Sequence, residues 1–289
     1  MELNSTEVSF RGLSGTLLEP ALNEDLCIAL IIAGSGPTDR DGNSPSLRNN
    51  SLKLLAEGLA ESGFASFRYD KRGVGRSARE AMDDLRFEHY VEDAKEWVNF
   101  FSKQSKFKSI AVLGHSEGSL IGSICSRLAE VNKFISLCGT GRRAGVLLED
   151  QLRRASAYTE ETKFIINKLS SGEKVAEVPG ELSSVFRPSV QPYLISWFKY
   201  SPVEEIKQLG KPVLVVQGAN DLQSSIEDAE SLALASSSSR KVILEGMNHV
   251  LKHCTGNRKE NASTYGNPNL PIHSELVSVL VSFLNCENA

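Results

Sequence analysis

The sequence predicts an α/β fold in which a mostly parallel sheet carries helices on both faces. Three observations point there. Apolar runs of six to eight residues, several of them closed by glycine, alternate with longer segments whose apolar residues recur at a 3.6 period. Strand, helix and strand repeated in this way bury a sheet on both sides through right-handed crossovers. The length of 289 residues, with 40% apolar and 24% charged side chains, suits a single α/β domain over 1–289 and excludes disordered or collagen-like chains.

Taken in order, Val8–Phe10 and Thr16–Leu18 read as an opening hairpin around Gly12 and Gly15. Cys27–Gly34 (CIALIIAG) is a buried strand, and Leu52, Leu55 and Leu59 share one face of a helix ending near Gly63. Phe64–Tyr69 is a strand, then Val91, Ala94, Trp97, Val98 and Phe101 mark a helix. Ser109–Gly114 is a strand followed by a helix with Leu120, Ile121, Ile124, Cys125 and Leu128 inward. Lys133–Gly139, Lys211–Gly218 and Arg240–Gly246 complete the strands. Ile226, Ala229 and Leu232 lie on one helix, and Val277, Leu280, Val281 and Leu284 on the last. About 70 residues separate the strands ending near Gly139 and starting near Pro212, far more than a crossover needs. They are expected to form a helical insertion, 140–205, over the strand ends. It begins with Arg142, Arg143, Arg153 and Arg154 and carries the aromatic run Pro192–Tyr200.

Composition removes several function classes. The net charge of −4 and the lack of a basic run argue against nucleic acid as a partner. The longest apolar stretch, Leu26–Ala33, is eight residues, against about 20 for a membrane span. No apolar signal segment opens the chain. Five cysteines at scattered spacings suit buried thiols in a reducing compartment better than disulfides or a metal site. The expected setting is cytoplasmic, without membrane or metal.

Ser116 is the leading chemical candidate. It sits in Gly114-His115-Ser116-Glu117-Gly118, directly between a strand and a helix. A serine nucleophile at such an elbow needs very small residues two before and two after it, which the glycines supply. It also needs a base. His115 adjoins the serine and points away from its hydroxyl, His89 lies on a surface helix, and His273 caps or solvates the last helix. His249, in a short loop after the strand Arg240–Gly246, is the favoured base, with His253 the alternative. Asp221 leaves the strand Lys211–Gly218 and is placed to orient His249, whereas Asp228 on the following helix is expected to face solvent. For the oxyanion of an acyl-transfer intermediate, the Glu117 N–H is one donor and the Ser35 N–H the other, with Gly36 as alternative. Asp39, Arg40 and Asp41 either brace this loop with ion pairs or touch substrate. Tyr193, Trp197 and Tyr200, spaced four and three apart, would share a helix face that packs the insertion onto the body or lines an acyl pocket.

The ordered set GSGP–DRDG, DxRGxGxS, GHSEG, GxND and NHVLK resembles the α/β-hydrolase superfamily, and within it bacterial serine carboxylesterases and the S9/S33-peptidase-like group. The resemblance covers roughly residues 5 to 285. It implies a sheet of about eight strands, catalysis by Ser116, Asp221 and His249, no cofactor, and a lid inserted after the sixth strand. Ala33-Gly34 departs from the His-Gly of many relatives. The expected activity is hydrolysis of small-molecule carboxylic esters of small or medium acyl groups through an acyl-enzyme, by a monomer or homodimer. Amide or peptide hydrolysis with the same triad, and ligand binding without catalysis on the same scaffold, are the alternatives.

Overall fold

The structure, a computed structural model, describes residues 3–21, 26–77, 84–154, 159–255 and 257–286. Among these, eight strands form one sheet: β1 (Leu3–Phe10), β2 (Leu13–Pro20), β3 (Leu26–Ile32), β4 (Ala65–Asp70), β5 (Phe107–His115), β6 (Val131–Leu137), β7 (Val213–Gly218) and β8 (Ser239–Leu244). Their order across the sheet is β1-β2-β4-β3-β5-β6-β7-β8. The opening hairpin and the β2–β4 pair are antiparallel, and every later pair is parallel. The hairpin is longer than its apolar core predicts. Its turn is Arg11-Gly12, both at positive φ, while Gly15 lies within β2 against the Phe67 ring rather than in the turn.

Alternation along the strands builds two cores. In β3, Ile28, Leu30 and Ile32 face one side of the sheet and Ala29 and Ile31 the other. β7 divides likewise, with Val213 and Val215 opposite Leu214 and Val216. α1 (Ser51–Glu61) covers the second side with Leu52, Leu55 and Leu59. α2 (Phe87–Ser102) and α3 (Glu117–Cys125) cover the first, where Trp97 packs on Phe67 with ring centroids 4.5 Å apart. The α3 periodicity overran its helix: Leu128 lies in the turn beyond Cys125.

Between β6 and β7 the chain leaves the sheet for α4 (Ala144–Arg154), α5 (Glu160–Ser170), α6 (Ser183–Phe186), α7 (Gln191–Phe198) and α8 (Pro202–Lys207). These helices fill the long stretch between β6 and β7, the last of them ending at Lys207. It is tied to α2 by the Ser196 hydroxyl, which accepts a hydrogen bond from the Phe87 N–H at 2.8 Å. α9 (Ile226–Leu234), α10 (Arg258–Thr264) and α11 (Leu276–Asn285) follow. α11 joins α1 on the second side through Leu276, Leu280, Phe283 and Leu284, while Val277 and Val281 are only half-buried. No helix among the described residues is long and apolar enough to cross a membrane.

In a parallel sheet of this kind ligands bind beyond the carboxyl ends of the strands. Ser35, Ser116, Asp221 and His249 all follow such ends, those of β3, β5, β7 and β8.

Candidate active site

Ser116 links β5 to α3 at φ 56° and ψ −120°, a conformation that a side-chain-bearing residue holds only under constraint. The constraint is local packing. A Cβ at residue 114 would run into the Gly118 carbonyl, and one at 118 into the Ile32 carbonyl, so only glycine lets the turn close. The Ser116 N–H is held by the Leu137 carbonyl at 2.9 Å.

Asp221, just past β7, has a side chain with no exposure yet is surrounded by donors. Its Oδ2 accepts from His249 Nδ1 at 2.8 Å and from Gln217 Nε2 at 3.0 Å, and its Oδ1 from the Gln223 and Ser224 N–H groups at 2.7 and 3.0 Å. Burial pushes the Asp221 carboxyl up, but the His249 charge and these hydrogen bonds more than offset it and hold it below the usual 3.8. Bonding Nδ1 in this way directs His249 Nε2 outward as the free ring nitrogen.

The His249 loop is locked from below. Buried Asn248 donates to Asn261 Oδ1 at 3.0 Å and Thr264 Oγ1 at 2.6 Å, both on α10, and accepts from the Lys252 N–H at 3.0 Å. The fully buried Lys252 ammonium donates to the Leu270 carbonyl, and burial pushes its pKa down to about 8. His115 donates from Nε2 to the His249 carbonyl at 2.7 Å. Burial pushes its pKa down to about 4, so the ring is a neutral strut rather than a second base. His115, Cys138 and His249 bring three potential ligand atoms within 4.8 Å of one another, but ring nitrogens of both histidines are engaged in these bonds.

His253 is exposed and lies beside His273, the tilted rings 5.5 Å apart between centroids. His273 caps the last helix, its Nδ1 accepting from the Glu275 N–H at 3.3 Å, but it is buried rather than solvated, because Nε2 bonds the Glu245 carbonyl at 2.9 Å, a partner 28 residues earlier that no local pattern announces. Asp228 is a second correction. It is 3% exposed, because its carboxylate receives Arg142 Nε and Nη2 at 2.9 and 2.7 Å, Thr140 Oγ1 and the Gly141 N–H at 3.0 Å. Ser225-x-x-Asp228 is also a capping box at the start of α9, a sequence signal for an inward carboxylate. Arg142 bridges on to Asp150 at 2.9 Å, so the base of the insertion is stapled to α9.

Two cavities meet at Ser116. One, of about 60 Å³, runs under the insertion and is lined by Ser35, Ser116, Glu117, Leu120, Thr140, Arg142, Leu147 and Trp197 among others. The other, of about 140 Å³, lies on the His249 side and includes Ser35, Thr38, Leu47, Ser116, His249 and Tyr265. Ser116 and His249 share this second cavity, and no hydrogen bond joins them. Ser35 and Glu117 border the first cavity, Ser35 the second as well, and their N–H groups donate to no described acceptor.

Of the other candidates, Gly36 is exposed at φ 72° and borders neither cavity. Tyr193 is buried edge-on to Tyr90 at 5.8 Å, and Tyr200, beyond the end of α7, bonds Glu88 at 3.1 Å and packs on Phe87. Trp197 alone of the three lines a cavity, with its ring stacked toward Phe87 at 6.3 Å. Asp39, Arg40 and Asp41 brace loops. Arg40 pairs with Asp70 at 2.7 Å and Glu7 at 2.8 Å, Asp41 with Arg68 at 2.8 Å, and Asp39 accepts from the N–H groups of Asp41 and Asn43.

Residues 49–137 match a family model described as serine aminopeptidase, S33. No curated protein matches the chain. Among solved structures, the chain is similar to Est1E from Butyrivibrio proteoclasticus, at 16% identity and TM-score 0.61 over 98% of this chain and 99% of that one. It is also similar to the Pyrococcus furiosus esterase Pf2001, at 16% identity and TM-score 0.59 over 98% and 91%. A serine hydrolase involved in carbazole degradation, CarC, aligns at 18% identity and TM-score 0.57 over 98% and 99%.

Proposed function

Because the chain has the α/β-hydrolase fold, we propose that it is a serine hydrolase cleaving carboxylic esters of small acyl groups through an acyl-enzyme. The observation that carries this reading is the convergence at Ser116 of a strained serine, a histidine oriented by a buried carboxylate, and two unengaged N–H groups. Ser116 Oγ attacks the ester carbonyl while His249 Nε2 takes its proton. Asp221 stabilises the imidazolium that results, and the Ser35 and Glu117 N–H groups receive the oxyanion. His249 then protonates the departing alcohol, and a water activated by the same ring releases the acid. The missing Ser116–His249 hydrogen bond is compatible with this scheme, since such contacts commonly tighten only when substrate binds.

Glu117 borders the smaller cavity alone and Ser35 borders both, which favours the smaller one as the acyl side. His249 borders the larger one, where the leaving alcohol must collect its proton. The small volume of about 60 Å³ favours short acyl chains. The family match keeps amide substrates as a second reading. A chromogenic panel of acetyl, butyryl and octanoyl esters, thioesters and dipeptide anilides separates them. Turnover led by short esters supports the proposal, and turnover confined to anilides replaces it with the amide reading.

Trp197→Ala should enlarge the acyl side and raise kcat/KM for octanoyl relative to butyryl esters by about tenfold, the scale of a few methylenes in an apolar pocket. A lowered melting temperature with the ester ranking preserved would instead leave Trp197 as packing alone.

A further inference from the structure

Lys71 follows β4 directly and is 1% exposed, an unusual place for an ammonium. Taking such a charge out of water is expensive, and a methionine would fill similar space without that penalty. The described contacts that offset this cost are few. Nζ donates to the Gly34 carbonyl at 2.5 Å and lies 4.9 Å from the centre of the Tyr90 ring. No carboxylate makes a described ion pair with it. Burial pushes the Lys71 pKa down, and the Glu117 carboxylate pulls it back up. Both Glu117 carboxylate oxygens are buried, and the Tyr193 hydroxyl faces them, its pKa pushed up by burial and by this carboxylate.

The position of that one hydrogen bond is informative. The Gly34 carbonyl belongs to the same peptide unit as the Ser35 N–H. In a planar trans peptide the two point in opposite directions, so fixing the carbonyl from one side fixes where the N–H points on the other. Gly34 itself lies against the nucleophile: a Cβ there would stand 3.2 Å from the Ser116 Cβ. Donation to an amide carbonyl also polarises the amide, strengthening its own N–H as a donor. The same loop has independent braces in the Arg40–Asp70 pair and in Thr38 Oγ1, which donates to the Ser35 carbonyl at 2.8 Å.

We propose that Lys71 is a positioning residue of the oxyanion site, holding and polarising the Gly34–Ser35 peptide from behind so that its N–H and the lysine charge act on the developing oxyanion. Glu117 takes part through its backbone N–H, the second donor, and its carboxylate enters the test because a negative charge there favours the ammonium form of Lys71. The inference rests on the hydrolase reading above. It concerns the transition state, where the negative charge develops, and much less the bound ester.

The test compares Lys71→Met and Lys71→Met/Glu117→Gln with the unaltered protein, using a short p-nitrophenyl ester, a trifluoromethyl ketone that forms a tetrahedral adduct, and the product acid as a ground-state ligand. The expected result is a kcat about tenfold to hundredfold lower, below the loss for deleting a donor outright, with KM within about twofold. Ketone affinity should weaken by the same factor as kcat, product-acid affinity should hold, and the double variant should not recover. The double variant carries the test if the unbalanced Glu117 carboxylate prevents the single variant from folding. A kcat within about twofold of the unaltered protein, or equal weakening of ketone and product acid, overturns the positioning role while leaving the hydrolase reading intact. A Ser116 that neither turns over esters nor reacts with an organophosphonate in the unaltered protein overturns both.

Discussion

Ser116→Ala should lower ester turnover by about 10⁴- to 10⁶-fold and abolish labelling by a fluorophosphonate, with the melting temperature nearly unchanged. The size of the loss follows from covalent catalysis: without Oγ no acyl-enzyme forms, and what remains is the contribution of the oxyanion donors and substrate binding. Stability should hold because Ser116 Oγ makes no described hydrogen bond, while the backbone bond from Ser116 N–H to Leu137 survives the substitution. Alanine also keeps the positive φ that the elbow already imposes. Steady-state kinetics on purified protein, with mass spectrometry of the labelled peptide, checks both parts. Turnover within tenfold of the unaltered protein would remove Ser116 as the nucleophile.

His249→Ala should cost nearly as much as Ser116→Ala, because the two act as one unit, whereas His253→Ala should change kcat/KM by less than about threefold. Asp221→Asn should fall between them, since a carboxamide can reverse the imidazole tautomer and removes the charge that stabilises the imidazolium. The pH dependence of stability isolates Asp221, whose carboxyl is held below the usual 3.8. A carboxyl depressed in the folded state adds stability that is present above its unfolded value and is lost as pH falls through the folded one. Asp221→Asn should therefore flatten the acid limb of the stability curve, which circular dichroism over a pH series would show. An unchanged acid limb, or greater damage from His253→Ala than from His249→Ala, would disprove the assignment.

The order of chemical residues along the chain was readable because each follows a strand whose apolar run is plain. The run before Gly114 locates Ser116, the run Val213–Val216 locates Asp221, and the one ending near Leu244 locates His249. What stayed hidden depends on partners distant in sequence. Lys71 looks like a turn residue until Gly34, 37 positions earlier, is seen beneath it. Asp228 reads as a surface acid until Arg142 arrives from the insertion. α10 escaped because its sequence, RKENAST, has no apolar period; it is capped by the Asn257 side chain and held inward by Asn261 and Thr264. The aromatic residues pack the insertion onto α2, Tyr193 on Tyr90 and both Trp197 and Tyr200 on Phe87, although α7 stops at Phe198 and Tyr200 lies beyond it.

The meeting of two cavities at one serine has a consequence for how selectivity can change. Their walls come from largely separate stretches of chain. Thr140, Ala144, Leu147 and Trp197 of the insertion border one, and Thr38, Leu47, Val250 and Tyr265 border the other. Substitutions far enough apart and without shared partners combine additively in free energy. On the proposed ester reading, preference for the acid half and preference for the alcohol half should be nearly independent coordinates, so a library varied on one side should cross with a library varied on the other without re-optimising either. Ser35 and Gln223, which border both cavities, are the positions where that independence should break down.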